Sequence, residues 1–392
     1  MKITLLAISL LIGQLSFAKC PNYWGRSAGK TNLDLPMDSI NLESAAKLIT
    51  TKNFRLELRE LNNDCGNITW YQSNILNGLL EMYQATNNTD YLDQFVGLAD
   101  DVYKQNDIFT GKFDKLRKRV VFGWSSIKYT KYKERHVMGV DSAVISEVYA
   151  KFTKVVLQNK LTTYYSKADH YYEVAKDAML EIEEDWDEKI NFYRFKPRAH
   201  KKYSIYPYNQ GLAIASVYLE LYEINKIQNE YHLAGSYLEK ARLIGKYFKK
   251  AIKKDSRNNR LLWRYAPGSY YEDSSHASID IEFMIKAYKN NILFSKTEMK
   301  LLATTVEKTF KRNSFARYID GKDLAGYTSW HSLTCMRLMK VSQFSSKPRA
   351  LLDKCRKVVS KIIANKNVLK TLPYQFYTNL VYGVPVLFNY SK

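Results

Sequence analysis

Proline and glycine are scarce in this chain, at 8 and 16 of 392 residues, and no Pro-rich or Ser/Gly-rich stretch interrupts it. That excludes domains strung on flexible linkers and predicts one domain, residues 19–392, closed on itself. Cysteine is scarce as well. Cys20, Cys65, Cys335 and Cys355 form no Cys-x-x-Cys pair, so zinc held by thiolates is not expected. Acid is short: 39 Asp and Glu face 60 Lys and Arg, a net charge of +21. Such an excess favours an anionic partner, here an acidic polysaccharide or cell-wall glycan, and a merely solvated basic surface is the bland alternative. The cations lie on helix faces and in aromatic loops rather than in a tail, and no nucleic-acid-reading module appears, so nucleic acid is not an expected partner. No apolar run beyond the first 18 residues is long enough to span a bilayer, which argues against stable membrane insertion.

The N-terminus does carry a short apolar run. Lys2 precedes Ile3 to Phe17, and Ser16-Phe17-Ala18 ends it with small residues at the positions a signal peptidase reads. This reads as a signal peptide over 1–18, cleaved before Lys19, and as a secreted or periplasmic location. A lipid anchor on Cys20 would need a small residue where Lys19 stands. An exported chain can form disulfides. Cys335 and Cys355 lie ten residues either side of Ser345, so a helical hairpin turning there would put them at equal height. A Cys335–Cys355 bridge is predicted, leaving Cys20 to pair with Cys65.

Two kinds of helix alternate along the rest. One is apolar nearly all round, as at Ile75, Leu76, Leu79, Leu80, Met82 and Tyr83, and should be buried on every side. The other has one apolar stripe and a charged back, as at Ala234, Tyr237, Leu238, Ala241, Ile244 and Phe248 with Lys240, Lys246, Lys249 and Lys250. Inner helices start near Trp70, His136, Tyr206, Glu272 and Trp330, at gaps of 66, 70, 66 and 58 residues. A sixth start near Tyr374, with a closing helix from about Ser39 to Ile49, would complete the set. Repetition of this kind means repeated supersecondary units. The links into the inner helices are long and alike: VVFGWSSIKYTKYKERH, INFYRFKPRAHKKYSIYPY, LLWRYAPGSYYEDSSH and FARYIDGKDLAGYTSWH. Each opens on a β-prone run and continues as an aromatic loop, more than a helical shell requires.

The helix starts Trp70-Tyr71-Gln72-Ser73-Asn74, His136 to Asp141, Tyr206-Pro207-Tyr208-Asn209-Gln210, Glu272-Asp273-Ser274-Ser275-His276 and Trp330-His331 resemble those of the (α/α) toroid carbohydrate-active enzymes. These include glycoside hydrolases, polysaccharide lyases and the C-terminal domain of glucuronyl C5-epimerases. The resemblance covers nearly the whole chain as architecture and implies an all-α fold of about six helical hairpins, with short β-prone segments and long aromatic loops on one face. It carries no complete catalytic signature, and a fold does not fix a function.

The densest candidate cluster is Tyr271-Glu272-Asp273-Ser274-Ser275-His276. Asp280, four residues after His276, shares a helix face with it and is expected to orient it. Asp273 is equally placed to cap the helix. An exported lyase or C5-epimerase acting on a uronate-type glycan would use His276 as base and Tyr208 or Tyr271 as acid. Arg264, or Asn209 with Gln210, would neutralise the carboxylate. A glycoside hydrolase needs two carboxyl groups, and Glu272 or Asp273 with Asp141 are the candidates. The same groove without catalysis would make a glycan-binding protein. Trp70, Asn74, His136, Tyr206, Trp263, Trp330 and His331 are expected to line it, and His170, His200 and His232 to be ordinary packing or surface residues. A metal at His136, His276 and His331 has no support from spacing, and no metal or other cofactor is expected.

Overall fold

The structure is a computed structural model and describes residues 40–50, 62–311, 314–322, 330–364 and 375–390. The expected signal peptide 1–18, Cys20 and Tyr374 lie outside the described residues, as do the side chains of Trp330 and His331. Six inner helical segments ring a common axis: α2 (Ser73–Thr86), α4 (Gly139–Gln158), α6 (Tyr208–Ile227), α8 (Ser274–Lys289), a broken segment running Trp330–Leu333, Cys335–Leu338 and Met339–Phe344, and α11 (Gln375–Asn389). Outer helices follow them: α3 (Asp90–Lys104), α5 (Tyr165–Ile182), α7 (Tyr231–Lys249), α9 (Lys296–Thr309) and α10 (Pro348–Ala364). The sixth outer position is taken by α1 (Leu42–Thr50), which packs on α11 and α2, so the N-terminal segment does supply the closing helix.

The ring closes where α11 packs on α2. The reason is local: a Cβ added at Gly78 would come within 2.7 Å of the Val381 carbonyl oxygen, so only glycine lets these backbones approach. One apolar cluster then runs from Ala45 to Leu387.

The β-prone starts of the links are the second strands of four antiparallel hairpins. Their registers are Phe113↔Val120, Trp186↔Tyr193, Lys253↔Leu262 and Phe310↔Phe315. Each hairpin follows an outer helix, and the first three links fold back before entering the next inner helix. Ser126 bridges His136, Arg194 bridges Ile205, and Arg264 bridges Tyr271.

The inner helices are buried as expected, but they are not apolar throughout. Lys151 Nζ lies 2.7 Å from Glu282 and 3.1 Å from Glu147. Lys286 pairs with Glu147 at 2.5 Å and Glu220 at 2.6 Å, and Lys340 with Glu81 at 2.8 Å. Tyr382 donates to Glu282, and Asn389 to Glu81. All six inner segments contribute to this network, which fills the axis with paired charge.

Cys335, on the broken inner segment, is disulfide-bonded to Cys355 on α10, with Cα atoms 5.9 Å apart. The hairpin turns at Ser345, as the symmetry of the two cysteines predicted. Cys65 is also disulfide-bonded; its expected partner, Cys20, is among the undescribed residues. Opening the Cys335–Cys355 loop of 20 residues by Cys→Ser replacement at both positions should cost about 3 kcal/mol in denaturant unfolding. An unchanged midpoint would show that packing alone holds this hairpin.

Candidate active site

A cavity of about 250 Å³ sits on the ring axis where the inner helices begin. Each inner segment contributes from its first turns: Asn74 from α2, Val140 from α4, Asn209 and Gln210 from α6, Ser275, His276 and Ile279 from α8, Thr334 and Arg337 from the broken segment, and Asn379 from α11. The links add Trp70 and Tyr71, Lys128 and Tyr129, His200, and Tyr265. Five long helices therefore aim their positive N-terminal ends at one small space, which favours an anion there.

His276 is the centre of the chemistry. Asp273 caps α8: its Oδ1 accepts from the Ser275 and His276 backbone N–H groups, at 2.9 and 3.1 Å. Its Oδ2 lies 2.7 Å from His276 Nδ1. One carboxylate thus fixes both the helix start and the imidazole. Burial opposes charge on His276, but Asp273's charge and hydrogen bond outweigh it and raise the imidazole above its ordinary value of 6.5. Asp273 itself, despite burial, is held far below the usual carboxylate range by His276.

Asp280 does not take the orienting role expected of it. Its Oδ2 accepts from Trp263 Nε1 at 2.7 Å, and its fully buried carboxyl faces Glu272. Burial pushes both acids upward, Asp280 to about 7, and the charges of Asp280 and then Asp273 add to the rise on Glu272. Glu272, Asp273 and His276 could together offer ligand atoms within 4.8 Å of one another. The His276 nitrogen facing these acids is already bonded to Asp273 Oδ2, which does not leave it free for a cation.

Of the residues named from sequence, Trp70, Asn74, Asn209, Gln210 and His276 line the cavity. Asn209 Oδ1 and Gln210 Oε1 are buried without a hydrogen-bond partner, acceptors that a ligand hydroxyl would satisfy. The other described ones are placed elsewhere. Asp141 is fully buried beside the cavity, pushed up to about 7 by desolvation, against the Ser126 and Thr69 hydroxyls and Lys128. Glu272 and Asp273 stand behind His276. Tyr208 packs its ring against Tyr247 and Phe248, outside the cavity. Tyr271 lies under the Arg264 guanidinium at 5.2 Å, while Arg264 is exposed and donates to the Ser269 carbonyl.

His136 and Tyr206 are structural rather than cavity-lining. His136 Nδ1 lies 2.9 Å from Asp114, Tyr206 donates to Asp185 at 2.8 Å, and Arg117 ties the two acids together. Trp263, 1% exposed, supports Asp280 from below. The sequence placed these residues at helix starts correctly, but a helix start has an outer side as well as an axial one.

Among the cavity residues not foreseen are Arg337, Lys128 and His200. Arg337 sits two turns into the broken segment, its ring-side contact a Tyr382 stack at 5.1 Å, its Nε buried without a partner. No ion pair involves it among the described residues. Lys128 is half-buried. His200, expected to be an ordinary residue, accepts at Nδ1 from the Lys202 and Tyr203 backbone N–H groups, both at 3.1 Å. Its Nε2 then carries the proton. Tyr265 lies 5.2 Å from the His276 ring, and burial followed by the charge of Glu272 keeps its phenol protonated. No Asp or Glu lines the cavity among the described residues.

No family model and no curated protein matches this sequence. Solved structures do. An inactive double-aspartate variant of the GH76A alpha-1,6-mannanase of Salegentibacter sp. HEL1_6, in complex with alpha-1,6-mannotetrose, is 10% identical. It covers 90% of this chain and 99% of its own, with a TM-score of 0.56. A second inactive variant of that enzyme, with alpha-1,6-mannotriose, is 11% identical over 89% and 100%, at 0.52. Cellobiose 2-epimerase from Bacillus thermoamylovorans B4167 is 13% identical over 82% and 87%, at 0.53. At such identities the likeness is one of fold, and it agrees with the closed ring of six hairpins: this chain is an (α/α) toroid, the architecture of these carbohydrate-active enzymes.

Proposed function

We propose that this chain is an exported carbohydrate-active enzyme that binds an acidic sugar in the axial cavity and moves the proton next to its carboxylate. One observation carries the reading. The cavity is lined by Arg337, Lys128 and His276 and by no described carboxylate. Arg337 and Lys128 would neutralise the uronate carboxylate, lowering the barrier to forming the enolate-like anion. His276, held by Asp273, takes the C5 proton. In a lyase the electron pair then expels the C4 oxygen, to which Tyr265 delivers its phenolic proton. In an epimerase a proton returns to C5 from the other face. Asn209 and Gln210 accept hydroxyls of the ring. The Cys335–Cys355 disulfide and the signal-like N-terminus support export.

The test is incubation with oligouronates. A lyase product absorbs in the near ultraviolet, and an epimerase exchanges the C5 hydrogen with deuterated solvent. Addition of water without either would instead establish the hydrolase, with Glu272, whose carboxyl burial pushes well above its ordinary value, as its proton donor. In the mannanase variants the inactivating change is to two aspartates. Here the adjacent acids Glu272 and Asp273 lie behind an imidazole rather than in the cavity. Binding with no product at all would make the chain a glycan-binding protein.

Arg337→Gln gives a second test. Losing a charged hydrogen bond to a carboxylate costs about 1.5–3 kcal/mol. Affinity for an acidic trisaccharide should fall about 10- to 100-fold, with no change for its neutral counterpart. Equal losses for both ligands would mean that Arg337 shapes the cavity and does not read charge.

A further inference from the structure

A basic groove of about 820 Å³ lies on the outer wall, between the fourth hairpin and α10. α10 carries five cations, Arg349, Lys354, Arg356, Lys357 and Lys361, against one acid, Asp353. Four of those cations line the groove, joined by Lys311 from the hairpin. Lys354 is paired with Glu307 at 2.9 Å and Arg356 with Asp353 at 3.3 Å. Lys311, Lys357 and Lys361 have no ion pair among the described residues and are exposed. Lys354, Lys357 and Lys361 follow one helix face for about 10 Å at 1.5 Å per residue. That is a row suited to a chain of charges rather than to one ion. Phe310 and Val358 give the groove an apolar strip.

We propose that this groove is a second binding surface for an acidic polysaccharide chain, holding the polymer outside the ring. The topology places it well. Inner helices begin at the site face, so outer helices end there, and the C-terminal half of α10 climbs towards it. The fourth hairpin leads directly to Tyr318, which bridges to Asp273 beside His276. A polymer in the groove is therefore held near the face where the cavity opens. A membrane fits poorly, because the large exposed apolar side chains, such as Ile108, Phe109 and Leu180, lie on other elements and none lies in the groove. The choice of polymer rests on the function proposed above; the groove itself does not.

The experiment uses the full chain, polygalacturonate as probe, and the variant Lys311→Glu/Lys357→Glu/Lys361→Glu. All three side chains are exposed, so folding should be retained, checked by circular dichroism. Polymer affinity at low salt should fall at least about tenfold, with turnover of a trisaccharide unchanged. Unchanged polymer affinity overturns the proposal. So does tighter binding to phosphatidylserine vesicles than to polygalacturonate, if the same variant abolishes it. A chain that turns over no uronate but loses polymer binding in the variant would keep the groove and refute only the function proposed for the axial cavity.

Discussion

His276→Gln should fold normally and lose about 10²–10⁴ in turnover, the range general acid–base groups supply. The fold should survive because the cap on α8 comes from Asp273 and the backbone of His276, not from its ring. Binding of an acidic oligosaccharide should change little, since Arg337 and Lys128 remain. The pH profile sharpens the assignment. A base must be unprotonated, so the rate should rise with pH through the His276 pKa, which Asp273 holds above the ordinary 6.5. Asp273→Asn keeps the cap, because asparagine caps as well as aspartate, but removes the charge that favours the imidazolium. The rising limb should then move to lower pH. A limb that stays put in Asp273→Asn, or near-full turnover in folded His276→Gln, would transfer the chemistry to the buried carboxyls and favour a hydrolase.

Glu220→Gln should have the largest effect on stability without touching the cavity. Glu220 is 1% exposed and neutralises Lys154 and Lys286 in the axial network. Burial opposes its charge, yet the two lysines hold it down to about 2. Removing the charge leaves the buried lysines in excess. Breaking buried pairs costs about 3–5 kcal/mol. Because Lys154 keeps Glu223 and Lys286 keeps Glu147, the loss should be about 3 kcal/mol, read from the urea midpoint. A carboxylate lowered from 4.5 contributes stability above that pH and loses it as pH falls towards 2. The wild type should therefore lose more stability on acidification than Glu220→Gln does. Parallel acid profiles for the two would show that the network is merely tolerated.

The alternation of inner and outer helices was legible because it is a local property. Stripe width on a helix reports how many sides are buried, and the recurrence of aromatic links reports where each inner helix begins. The Cys335–Cys355 bridge was legible for the same reason, since two residues equidistant from a turn meet in any antiparallel hairpin. The cap at Asp273 was also written locally. What sequence could not decide was direction around each helix. His136 and His276 both open inner helices, yet one turns outward into the Asp114–Asp185 network and the other inward. Asp280 and Asp273 were both within reach of His276, and only the placement of Trp263 sent Asp280 away.

Arg337 and the axial lysines show the limit most clearly. Lys151 meets Glu282 across 131 residues of chain, and Arg337 shares the cavity with His276 from the next inner segment. Within their own helices Lys151 has one acid in reach, Glu147, and Arg337 has none, so neither reads differently from a surface charge. The sequence by itself determined a basic, repeated helical chain with its long links gathered on one face. Closing the ring decided which charges found partners along the axis and which were left facing the cavity. Burial makes a charge costly until a partner or a ligand answers it, and only the tertiary structure brings those groups together.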